Sequence, residues 1–74
     1  MAERPVQFQV KQSGAWRTAV RWDASDEARN DAVLDAADSL LRAVGRAGGR
    51  IVTDDGLNTW LMNWTAEEGW KRWV

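Results

Sequence analysis

Val6, Phe8 and Val10 alternate with Gln7, Gln9 and Lys11, the two-residue period of a strand with one buried face. Ser13-Gly14 interrupts the run. A second alternation follows, Trp16, Thr18, Val20 and Trp22 against Arg17, Ala19 and Arg21, so the first two strands read as a hairpin. The period then changes. Ser25 ahead of Asp26 and Glu27 is a helix start, because a serine oxygen accepts an orphan amide and early carboxylates suit the positive end of the dipole. Val33, Ala36, Ala37, Leu40, Leu41 and Val44 fall in one stripe at helical spacing, predicting a helix that packs on the sheet and runs to about Arg46 or Ala47. Gly48-Gly49 supplies its C-terminal cap. Arg50 to Thr53 is a short β-rich run, Asp54-Asp55-Gly56 a tight turn, and Leu57 to Trp64 a further strand. Thr65 to Gly69 is a longer turn, after which Trp70 to Val74 run back along the sheet.

The predicted order is β-β-α-β-β-β, an α+β fold in which an antiparallel sheet of four or five strands carries one helix on one face. Residues 1–74 read as one domain, since a polypeptide of this length buries only roughly 60 % of its unfolded surface and has room for one core. One helix leaves the second sheet face open. If the apolar alternates face the helix, the open face shows Gln7, Gln9, Lys11, Arg17 and Arg21. The late strands divide less cleanly: Trp60, Met62 and Trp64 share one side, Leu57, Leu61 and Asn63 the other. Trp70 and Trp73 have opposite parity, so one of them points away from the helix.

Composition narrows the chemistry. Six tryptophans and no tyrosine are the unusual feature, while a net charge of -1 gives no overall field to attract nucleic acid. Without cysteine there is no disulfide framework, thiolate metal site or thiol nucleophile. Histidine is also absent, as is any phosphate-cradling glycine motif, so catalysis and bound cofactors are not expected. Asp54-Asp55-Gly56 lacks the further oxygen ligands of a calcium loop and reads as turn chemistry. No stretch approaches the ~18 apolar residues of a membrane span, and the start lacks the apolar run of a signal peptide, so a cytoplasmic location is expected.

Two surfaces remain as candidates for binding. Glu27, Asp31, Asp35 and Asp38 form an acidic band on the helix, opposite the predicted core stripe. Carboxylates on successive turns lie ~5 to 6 Å apart, close to phosphate spacing, so the band is either a nucleic-acid mimic or a solvated helix face. The second surface is the open sheet, where Lys11, Arg17 and Arg21 accompany at least one exposed member of the set Trp60, Trp64, Trp70 and Trp73. Trp16 and Trp22 are assigned to the core. Tryptophan with arginine suits a protein hot spot or a platform for single-stranded bases.

Arg50-Ile51-Val52-Thr53, the turn ending Gly56-Leu57, Trp60-Leu61, and Gly69 before Lys71-Arg72-Trp73-Val74 together resemble small phage anti-CRISPR proteins. The resemblance covers about a third of the sequence, and these inhibitors of type I CRISPR surveillance complexes share the size, the curved sheet and the single helix. It implies binding to a Cas subunit that blocks target-DNA access, with Lys71 and Arg72 as contact candidates. The expectation is a non-enzymatic protein-binding inhibitor or adaptor acting through the acidic helix or the Trp/Arg sheet. The alternative is a single-stranded nucleic-acid-binding module on the sheet face. Homodimerisation through an apolar open face is a third reading, so the protein is expected as a monomer or homodimer without membrane partners.

Overall fold

In the computed structural model, which describes residues 3–45 and 47–72, the protein folds as β1 (Pro5–Gln12), β2 (Ala15–Asp23), α1 (Glu27–Val44), β3 (Gly48–Thr53), β4 (Trp60–Thr65) and β5 (Gly69–Arg72). This is the order the alternation predicts. The strands form one antiparallel sheet in the spatial order β2-β1-β3-β4-β5. The β1–β2 hairpin closes on Ser13 and Gly14, both at positive φ, as a two-residue turn matching the right-handed strand twist requires.

Boundaries shift for local reasons. Asp26, not Ser25, caps the helix by accepting from the Arg29 amide at 3.1 Å, while the Ser25 hydroxyl donates to Asp23. The helix stops at Gly45, whose φ of 80° lets its amide donate back to the Leu41 carbonyl. Gly48 and Gly49 therefore open β3 instead of capping α1. Gly49 lies where Leu41 presses closest: a Cβ there would sit 2.5 Å from Leu41 Cδ1. Asp54 to Thr59 form a loop, with Asp55 accepting from the Thr53 hydroxyl and the Leu57 amide, so β4 starts at Trp60 instead of Leu57.

The helix-side core joins Val6, Phe8, Trp22, Ala37, Leu41, Ala47, Ile51 and Trp64. Leu34 packs against it, whereas Leu40 is 50 % exposed and Val44 44 %. The helix is thus rolled by roughly 60° from the predicted stripe, toward Asn30, Leu34 and Asp38. Three indoles explain the roll. Trp22 Nε1 donates to Asn30 Oδ1 at 2.9 Å, Trp70 Nε1 to the Leu34 carbonyl at 2.9 Å, and Trp64 Nε1 to Asp38 Oδ1 at 2.7 Å. Their acceptors fall one turn apart along a single line, so the sheet grips the helix by tryptophan donors that burial obliges to find partners.

Two bulges divide Trp16 and Trp60 from these three. Phe8 pairs with Val20 but Gln9 with Thr18, which leaves Ala19 without a partner on β1. Ile51 pairs with Met62 but Val52 with Trp60, which leaves Leu61 without one on β3. Each extra residue reverses the parity of what precedes it. Trp16 and Thr18 turn to the face away from the helix, Arg17 turns to the helix side opposite Val10, and Trp60 separates from Met62 and Trp64. These placements correct the assignments of Trp16 to the core, Arg17 to the open face, and Trp60 to the side of Trp64.

Candidate protein-docking face

The sheet face away from the helix is not a wet polar surface. Val52, paired with Gln7 and Trp60, is fully buried there, and Gln7 and Gln9 are buried as well, contrary to the expectation that both glutamines are exposed. Two glutamines survive burial only if their amides are satisfied. They form a relay across the sheet: Arg50 Nε donates to Gln9 Oε1 at 2.7 Å, Gln9 Nε2 to Thr18 Oγ1 at 3.2 Å, Thr18 Oγ1 to Gln7 Oε1 at 2.6 Å, and Gln7 Nε2 to Asn58 Oδ1 at 2.9 Å. Every link donates in the same direction, away from the guanidinium. Asn58 reaches its place by adopting a left-handed backbone, φ 51°, in the loop before β4.

At the head of the relay stands an aromatic cluster. Trp16 and Trp60 meet edge to face with centroids 5.6 Å apart, and the Arg50 guanidinium lies 4.1 Å from the Trp16 ring and 4.7 Å from the Trp60 ring. Lys11 Nζ is 5.7 Å from the Trp16 ring. Burial holds the Arg50 guanidinium below its ordinary pKa, though it stays charged, and no described carboxylate lies within ion-pair distance of it.

Comparison with known proteins adds no family. No family model matches the sequence, and no curated protein or solved structure matches it.

The other candidate residues are dispersed. Arg21, opposite Gln7 on the open face, reaches Asp54 at 3.5 Å, and Lys71, opposite Asn63, reaches Glu68 at 3.1 Å. Arg72 pairs with Met62 on the other face, so Lys71 and Arg72 do not act together. Trp64 and Trp70 serve the helix, and Trp73 lies outside the described residues. On α1, Glu27, Asp31 and Asp35 are exposed. Asp38 leaves that band: it accepts from Trp64 and from Arg42 Nε at 3.0 Å, and the Arg42 and Trp64 hydrogen bonds hold its carboxyl below the usual aspartate range.

Sequence reading missed Arg50, Trp16 and the Gln7-Thr18-Gln9 relay as site residues. One signal was present. Arg50-Ile51-Val52-Thr53 is apolar at both parities, which marks a central strand with material on both faces.

Proposed function

We propose that this protein is a small non-enzymatic binding module, an inhibitor or adaptor, that docks a protein partner on its open sheet face. The observation that carries this reading is the Arg50 guanidinium fixed between Trp16 and Trp60 with no carboxylate partner among the described residues. Rigid tryptophan and arginine at the centre of a face, ringed by polar groups, is the composition of a hot spot, where large surfaces leave water without much loss of side-chain freedom. The reading needs no catalytic group and no cofactor. The resemblance to anti-CRISPR proteins makes a Cas subunit the first partner to test.

The decisive measurement compares three variants of the protein as baits and as additives to a purified type I surveillance complex. Trp60→Ala and Arg50→Met are expected to lose the partner and any block of target-DNA binding. Triple charge reversal of Glu27, Asp31 and Asp35 is expected to retain both. If only the helix reversal matters, the acidic band is the docking surface and the sheet face is not.

A further inference from the structure

We infer that the open sheet face recognises a side-chain carboxylate of its protein partner, from aspartate or glutamate, seated on the two terminal nitrogens of Arg50. The inference rests on the reading of this face as a protein-docking surface and names the group the surface takes.

The geometry of the guanidinium points to it. Arg50 Nε is committed to Gln9, whereas its Nη1 and Nη2 donate to no described group. No buried side-chain nitrogen or oxygen among the described residues lacks a partner, so these two nitrogens meet solvent. They form the fork that a carboxylate accepts with both oxygens. The relay through Gln9, Thr18, Gln7 and Asn58 fixes Gln9 Oε1, which fixes the plane of the fork before any partner arrives. A half-buried cation flanked by indole rings and left without a counterion among the described residues is a site of unbalanced charge that a partner anion would complete.

The neighbouring charges decide between a single carboxylate and a polyanion. A nucleic-acid strand needs a track of cations and open ring faces on which bases stack. Here Arg21 is engaged by Asp54 and Lys71 by Glu68, which leaves Lys11 and Arg50, both beside Trp16, as the cations of the open face without an ion-pair partner among the described residues. Asp54 and Glu68 put negative charge beside the two outer cations. Trp16 and Trp60 each turn toward Arg50 and stand edge to face, an arrangement unlike parallel stacking platforms. Local charge therefore matches one acidic group and opposes an extended phosphate backbone.

The test titrates nitrogen-labelled protein in about 150 mM salt and reads the Arg50 Nε–H and the Trp16 and Trp60 indole resonances. The probes are the acetylated, amidated dipeptide Asp-Glu, its Asn-Gln twin, and a twelve-residue oligothymidylate. The Asp-Glu peptide is expected to shift these resonances saturably and the twin to leave them still. Gln9→Glu, which supplies an internal carboxylate to Arg50, is expected to weaken the response at least tenfold, as is Arg50→Lys, which keeps the charge and loses the fork. Circular dichroism checks that each variant is folded, and Arg50→Lys decides the matter if Gln9→Glu is not. The inference is overturned if the two peptides act alike, if folded variants respond as the parent does, or if the oligothymidylate moves the same resonances at a tenfold lower concentration. A peptide silent at Arg50, with Trp60→Ala still abolishing partner capture, overturns the carboxylate and leaves the docking face standing. Retention of the partner by both Trp60→Ala and Arg50→Met removes the docking reading itself.

Discussion

Asp38 shows how one residue can leave a surface and join a framework. Its Oδ1 accepts from the Trp64 indole and its Oδ2 from Arg42, whose guanidinium also lies 5.5 Å from the Trp64 ring and donates to the Ala66 carbonyl. These bonds favour the ionised carboxylate, so its pKa in the fold lies below the unfolded value. Asp23 is lowered chiefly by the Arg4 amide and Asp55 chiefly by the Thr53 hydroxyl. The sign follows: a depressed folded pKa gives stability that is fully present above the ordinary aspartate value and is lost as pH falls through the lowered one. Unfolding midpoints followed from about pH 6 to about pH 2 should therefore decline in the acid range. Asp38→Asn keeps an oxygen for Trp64 but removes one titrating group, so its decline should be shallower. A parallel decline in that variant and the parent would show that Asp38 does not contribute to the acid limb.

Elements are where the sequence was most and least legible. The order of elements along the chain, the single helix and the first hairpin follow from alternation and turn signals, whereas the spatial order of the strands does not. Facing is another matter. Neither Ala19 nor Leu61 is a residue that announces a bulge, yet each reverses the parity of a neighbouring tryptophan and so assembles Trp16 with Trp60. The helix roll was hidden for a related reason: Asn30 and Asp38 look like solvent residues until the indoles that need acceptors are placed. The roll makes neighbours on the helix unequal. Leu41 is 1 % exposed and Leu40 50 %. Leu41→Ala should cost about 2–5 kcal/mol in urea unfolding, whereas Leu40→Glu should stay within about 0.5–1 kcal/mol. Equal losses at the two positions would put the helix back on its predicted stripe.

Across the whole molecule the charges sum to only -1 and both sides carry cations, with Arg17 and Arg72 on the helix side and Arg29 and Arg42 on the helix itself. Exposed Glu27, Asp31 and Asp35 belong to the helix, while Lys11, Arg21, Arg50 and Lys71 belong to the open sheet face, where two of them are already matched by carboxylates. Such an arrangement orients an approaching partner without holding a long polyanion. It also sets how affinity depends on salt. Pairing one partner carboxylate with Arg50, and at most Lys11, releases no condensed counterions and is weakened by screening alone, so raising salt from about 50 to about 200 mM should weaken it by less than roughly tenfold. A single strand engaging six or more phosphates would lose roughly a few hundredfold or more over the same interval. Partner affinity measured at four salt concentrations gives the slope directly, and Arg50→Met should flatten it. A steep slope that survives Arg50→Met would place the binding charges elsewhere than at the Trp16–Arg50–Trp60 cluster, because among the described residues of that face no other pair of unmatched cations stands beside its aromatic centre.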